Sequence, residues 1–136
     1  MHDVGKITVP AEILSKPGRL SEIEMNVVRV HAEQGFLILR DIEFDWPVAE
    51  AIRQHHERLD GSGYPRGLKG DEIILEARII AVADVVESMA SHRPYRASLG
   101  IDAALAEVEG KAGVLYDVET VYACLRLFRE QDYTWP

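Results

Sequence analysis

His55-His56-Glu57-Arg58-Leu59-Asp60-Gly61-Ser62-Gly63-Tyr64-Pro65-Arg66-Gly67-Leu68-Lys69-Gly70 is an adjacent histidine pair running into a glycine-rich loop. Neutral imidazole is the commonest protein metal ligand, and glycine lets a backbone turn sharply or come close to a ligand. With glycines at 61, 63, 67 and 70 and Pro65 between them, residues 58–70 are expected to be irregular. An isolated histidine pair is ordinarily a surface feature ahead of a flexible loop, so its meaning depends on its flanks. After the loop, Glu72 to about Ala90 is the strongest helical pattern. Ile79, Ile80, Val82, Ala83, Val85 and Val86 make it apolar nearly all round, which predicts a central helix. Asp84 lies within that run, and a buried carboxylate needs a cation, a metal or donors, a neighbouring arginine being the ordinary solution. Before the loop, Asp45 is the expected N-cap and Pro47 a first-turn residue of a helix reaching about Glu57. His55 and His56 would then lie in its last turn.

Working back from there, Ser21 and Glu24 form a capping box that opens a helix expected over residues 22–39. Ile23, Val27, Val30, His31 and Phe36 or Leu37 follow its apolar stripe. A lone histidine on such a stripe is more often a satisfied core residue than a ligand. Pro10 suits the start of a short helix, Ala11 to Leu14. Lys16-Pro17-Gly18 is turn chemistry. Lys6 to Pro10 reads as extended, with His2-Asp3 just ahead of it. After the central helix, Ser91-His92-Arg93-Pro94-Tyr95-Arg96 is a polar link. Two amphipathic helices come next, roughly 101–111 and 117–130. Ala104, Leu105 and Val108 mark the buried face of the first, and Val121, Leu125 and Phe128 that of the second. No alternating strand pattern, repeat or linker occurs, so the reading is an all-α fold with residues 1–136 as a single domain.

Composition narrows the function. The chain has 136 residues, 47% hydrophobic and 28% charged, with a net charge of −8. That is ordinary for a globular protein with a real core. The acidic balance argues against wrapping a nucleic-acid polymer, which needs a broad basic face, but leaves room for a small anionic ligand beside a metal or a few arginines. Cys124 is the only cysteine, so no intrachain disulfide is possible, which fits a reducing cytosol. No leader and no bilayer-length apolar run are visible, and the expected location is cytoplasmic, off the membrane.

The candidate ligands His2, Asp3, His31, His55, His56 and Asp84 are scattered over separate helical segments that could converge. Histidine with carboxylate suits Fe, Mn, Zn or similar ions, and aspartate can bridge two of them. Two ions about 3.5–4 Å apart can clamp a phosphate and activate water, the logic of phosphodiester hydrolysis. Lys6, Arg93 and Arg96 could meet phosphate oxygens or stack on bases, surface salt bridging being an equally ordinary use for the arginines.

These residues resemble the HD-GYP domain, the bacterial phosphodiesterase branch of the HD superfamily. His2-Asp3-Val4-Gly5-Lys6 is similar to its HD-x-GK element. Lys16-Pro17-Gly18 and His31 match the family's second element. His55-His56-Glu57, Asp60-Gly61 and Gly63-Tyr64-Pro65 match the signature segment. Ala77 to Asp84 and Arg93-Pro94-Tyr95-Arg96 match the family's elements C-terminal to that segment. The resemblance implies an all-helical HD bundle with a di- or trinuclear centre of divalent ions. Iron or manganese are the usual metals, with zinc, magnesium or nickel as alternatives. It implies hydrolysis of cyclic di-GMP to pGpG or GMP in bacterial signalling. Carried over by motif, Asp3 would bridge two metals, with His31, His55 and His56 completing one, and His2 and Asp84 belonging to the other. Asp3 and Lys6 would act in catalysis, and Lys6, Tyr64, Arg93 and Arg96 would meet the substrate.

The sequence departs from the family in starting at the HD pair, without the usual preceding helices and their further histidine. Val118 comes after Asp117 where proline is frequent, and Glu87-Ser88 replaces Asp-Ala. Three functions therefore compete. They are a cyclic di-GMP phosphodiesterase, an HD phosphohydrolase for another nucleotide, and a non-catalytic remnant that binds metal, nucleotide or a partner such as a diguanylate cyclase or receiver domain. The short start further leads us to expect Ile79, Ile80 and Val86 to lack cover, giving a homo-oligomer with a reduced metal complement and weak turnover.

Overall fold

The computed structural model describes residues 1–91 and 99–134. Within them the named elements are all helices, α1 Ala11–Leu14, α2 Glu22–Arg29, α3 His31–Leu39, α4 Val48–Gln54, α5 Leu75–Ala90, α6 Ile101–Gly110 and α7 Val118–Glu130. Short 3-10 helices cover Val4–Thr8 and Gly70–Glu72. The only pairings of β type among the described residues are the isolated bridges Asp60–Lys69 and Ala112–Tyr116. The fold is all-α. No helix among those residues is long and apolar enough to cross a membrane.

Two packing units meet at α5. In one, α5, α6 and α7 enclose Val82, Val86, Ala104, Leu105, Val108, Tyr116, Val121 and Leu125, with Phe128 packed at the edge. Burying each large aliphatic side chain there contributes roughly 1.5–3 kcal/mol. In the other, α3 is sandwiched between the first 3-10 helix and α4. Gln54 ties this unit to α5. Its Oε1 accepts from Ile74 N at 2.8 Å while its Nε2 donates to Glu50 at 2.6 Å.

Several local expectations change. Lys6 to Thr8 are not extended but belong to the 3-10 helix, closed by Val4 N to Met1 O and Lys6 N to Asp3 O and packed on α3. The expected helix over 22–39 opens with its capping box but divides at Val30. Val28 O, which would accept the i+4 amide, is instead bonded by His31 Nδ1 at 2.6 Å. α2 consequently buries no residue, and Ile23 and Val30 of the expected stripe are exposed. Asp45 caps nothing. Pro47 is the N-cap of α4, which ends at Gln54, so His55 is its C-cap and His56 lies beyond it. The helix expected from Glu72 starts at Leu75, because Gly70–Glu72 forms its own turn and Ile73 is extended. Ile79 and Ala83 face outward, whereas Val86, expected to lack cover, is only 1% exposed because α6 and α7 close over it.

Asp117 locks α7 onto α5. Its Oδ2 accepts from Thr120 N and Oγ1 as a cap, and its Oδ1 accepts from Arg78 at 2.9 Å. Burial alone would raise its pKa, but the Thr120 bonds and the Arg78 charge outweigh that and hold the carboxyl below its ordinary range. A carboxylate with a depressed folded pKa stabilises above its unfolded pKa, and that contribution is lost as the pH falls through the folded value. Asp117→Asn can keep the cap but loses the ion pair. It is expected to cost about 1–3 kcal/mol at pH 7. In denaturant melts of the two proteins, the difference should shrink as the pH drops below 3.8.

Candidate metal centre

The close approach of Val4–Thr8 to α3 sets the first part of the site. A Cβ on Gly5 would lie 1.7 Å from His31 O and 2.6 Å from Gly35 N, so only glycine permits this contact. It brings Asp3 beside His31, with Asp3 Oδ1 at 3.6 Å from His31 Nε2. Asp3 Oδ2 faces the other way, 3.2 Å from His2 Nε2 and 3.2 Å from Lys6 Nζ. From α5, Asp84 Oδ1 reaches the same His2 Nε2 at 3.2 Å. Two donor groups result, Asp3 with His31, His55 and His56, and His2 with Asp3 and Asp84, in each of which all donor atoms lie within 4.8 Å of one another. Gly5→Ala is expected to destabilise the protein by about 1–3 kcal/mol, as overpacking does. It should also weaken retention of added Mn2+, measured together with the melting curve, because the shift it forces moves Asp3.

The histidines are held in one orientation. His31 Nδ1 donates to Val28 O, and His55 Nδ1 donates to Ile52 O at 2.5 Å. With that proton placed, each Nε2 carries its lone pair inward, the arrangement in which a backbone acceptor orients a metal-binding imidazole. His55 is fully buried and its Nε2 has no hydrogen-bond partner. His56 Nε2 stands 3.1 Å from His31 Nε2. Burial pushes His55 down to about 4, and it also lowers His31 and His56, so these rings are neutral at ordinary pH. His2 behaves oppositely. Hydrogen bonds to Asp3 and Asp84 raise it to about 9, so a proton sits between the two carboxylates. Burial would raise Asp3 and Asp84, but the His2 bond holds both low, with the Lys6 charge adding to it at Asp3. The pocket thus gathers positive charge between carboxylates and leaves an unpaired nitrogen beside them. Both observations fit a divalent cation.

The glycine-rich loop lies against this cluster. A Cβ on Gly63 would meet His56 O at 2.3 Å, so the loop folds back directly on the histidine pair. Tyr64 then stacks on His56, with ring centroids 4.8 Å apart and planes 18° apart. Burial raises the Tyr64 hydroxyl to about 12. Sequence reasoning missed Glu57. It is 2% exposed, and its two oxygens accept from Arg66 N at 2.7 Å and Leu68 N at 2.9 Å. Its only sequence signal was its place between the histidine pair and the glycine-rich loop. Arg93 and Arg96 lie outside the described residues.

Residues 1–120 match the HD domain family. The chain therefore belongs to the HD domain family, and its Gly63-Tyr64-Pro65 signature sets it in the HD-GYP branch. It is 47% identical over 93% of its length to the cyclic di-GMP phosphodiesterase response regulator RpfG of Xanthomonas campestris, of which it covers 34%. It is 44% identical over 96% of its length to a cyclic di-GMP phosphodiesterase of Thermotoga maritima, of which it covers 36%. It is 44% identical over 88% of its length to 3'3'-cGAMP-specific phosphodiesterase 3 of Vibrio cholerae, covering 26% of it. The chain thus spans about a quarter to a third of the length of these relatives. The crystal structure of a Vibrio cholerae cyclic GMP-AMP-specific phosphodiesterase shares the fold, with a TM-score of 0.64 at 19% identity over 94% of this chain and 33% of that one.

Proposed function

We propose that residues 1–136 form one metal-dependent phosphodiesterase unit that hydrolyses cyclic di-GMP to pGpG or GMP, acting in the cytoplasm. The observation that carries this reading is the position of Asp3, whose two oxygens face separate donor groups. His31, His55 and His56 with Asp3 would hold one divalent ion, and His2 and Asp84 with Asp3 the other. Iron or manganese is the first expectation from the mixed imidazole and carboxylate set. Such ions supply Lewis acidity toward a phosphoryl oxygen and toward the attacking water.

The chain's own residues do the rest. Asp3 holds the two halves of the centre in register and is itself held by Lys6. The Lys6 ammonium at the edge of the cluster is placed to donate to a phosphate oxygen as charge builds there. Tyr64 covers His56 and gives a base or ribose a flat apolar wall. Arg93 and Arg96, which come after the Asp84 helix in sequence, are assigned to the substrate phosphates. Sequence likeness to enzymes named for cyclic di-GMP and for 3'3'-cGAMP supports a cyclic dinucleotide as substrate and leaves both as candidates. Exposed Leu75, Ile79 and Leu127 on α5 and α7 support association with a second copy, which light scattering tests.

The deciding experiment strips the protein with chelator, restores Mn2+ or Fe2+ anaerobically, and follows both cyclic dinucleotides by chromatography. Metal-dependent loss of cyclic di-GMP with appearance of pGpG or GMP is expected. Metal uptake without turnover of either dinucleotide would favour the non-catalytic binding remnant instead.

A further inference from the structure

Lys16, Arg19 and Arg29 have no role in the proposed centre, yet they surround one hollow. It lies between α1 and α2, has a volume of about 670 Å3, and is walled on its apolar side by Ile13, Leu20 and Met25. Ligand sites commonly occupy roughly 300–1,000 Å3 and combine an apolar wall with a few polar groups. Lys16 is held by Glu24 at 2.7 Å, and Glu22 stands on the rim. Arg19 and Arg29 make no ion pair among the described residues, although Arg29 donates to Asn26 at 3.2 Å. In a chain of net charge −8, two guanidiniums without an ion pair among the described residues, beside an apolar wall, suit a flat anionic ligand.

Arg29 also joins this hollow to the histidine cluster. Its Cζ lies 5.7 Å from the Tyr64 ring centroid, and Tyr64 is the ring stacked on His56. Arg29 therefore lines the hollow on one side and approaches, on the other, the ring that packs on the donor groups. A cyclic dinucleotide has two phosphates on opposite sides of one macrocycle, so when one lies at the centre the other must rest beyond its edge. We propose that this hollow is the subsite for the nucleotide not being cleaved, with its phosphate on Arg29 and Arg19 and its base against Ile13, Leu20 and Met25. The assignment rests on the cyclic dinucleotide reading of the centre and adds to it where the second half of that ligand goes.

The test compares Arg19→Ala, Arg29→Ala and the double variant with the parent 136-residue chain, all loaded with Mn2+. Both arginines are exposed, so circular dichroism melts should overlay. Cyclic di-GMP binding is measured by equilibrium dialysis and its turnover by chromatography. Bis(p-nitrophenyl) phosphate serves as a diester with no second nucleotide. Each lost charge-assisted contact to phosphate should raise Kd and KM for cyclic di-GMP about tenfold or more. The effect should fall on KM rather than kcat, and Arg29→Lys should recover only part of it because the planar fork is lost. KM for the small diester should change far less. Unchanged KM for cyclic di-GMP in the double variant overturns the subsite while leaving the centre's reading intact. Equal losses for both diesters overturn it too, because the arginines would then act on the centre itself. A parent that neither binds nor hydrolyses cyclic di-GMP removes the substrate reading, and the subsite with it.

Discussion

Asp3→Ala should abolish binding of both metal ions of the proposed centre and lower turnover by on the order of 10³, the scale of losing one electrostatic element of a reacting site. The reason is geometric. Asp3 is the one residue shared by both donor groups, with one oxygen toward His31 and the other toward His2. Removing any other donor weakens one group, whereas removing Asp3 leaves three imidazoles on one side and a His2–Asp84 pair on the other. Its loss also strands Lys6, whose described ion pair is with Asp3. Metal analysis after dialysis, run beside Asp84→Ala, checks the idea. Asp84→Ala should retain the metal held by the three-histidine group, and Asp3→Ala should retain neither. Equal metal content in Asp3→Ala and the parent would sink the shared-ligand reading, whatever the assay of turnover gave.

Glu57→Ala should destabilise the protein by about 2–4 kcal/mol, from removing the acceptor of two part-buried backbone N–H groups plus the cavity left where the buried carboxylate was. Both oxygens of this buried carboxylate are used, by Arg66 N and Leu68 N, so the side chain is the anchor of the loop that carries Tyr64. Glu57→Gln separates chemistry from volume. Its amide fills the same space but offers one acceptor and one donor, which turns an N–H toward a backbone N–H. We expect Gln to recover only part of the stability in urea melts. Trypsin should cleave more readily after Arg66 or Lys69 in both variants. A Gln variant as stable as the parent would mean that volume rather than acceptor pairing holds the loop.

The two predictions concern residues that the sequence revealed to very different degrees. Asp3 was legible as chemistry because it stands beside His2 and ahead of Gly5-Lys6, residue types that suit a metal ligand and resemble the HD-x-GK element. Glu57 was not, because an acidic residue between a histidine pair and a loop reads as solvated. Only folding the loop back on Gly63 puts two amides within reach of it. The apolar periodicity of α6 and α7 showed their buried faces, whereas α5 read as apolar nearly all round and only packing decided that Val82 and Val86 turn inward and Ile79 and Ala83 outward. Ala104, Leu105, Val108, Val121 and Leu125 are buried as that periodicity requires. The capping box at Ser21 was likewise a local matter, settled by the spacing of two side chains.

What the chain does between helices was decided in three dimensions. The break at Val30 and the end of α4 at Gln54 both occur where a histidine Nδ1 bonds a carbonyl three residues back, at Val28 and Ile52. Helix propensity cannot foresee that, because the bond is worth making only if the ring's other nitrogen has somewhere to point. The turn at Val4–Thr8 has the same origin. It forms because Gly5 lets the backbone lie on His31 O, a long-range contact that local pattern does not contain. The residue types in His2-Asp3, His31, His55-His56 and Asp84 were set by sequence alone. Their division into two groups around one carboxylate depends on distances that exist only once Val4–Thr8, α3, α4 and α5 have packed, because side chains up to 82 residues apart meet there.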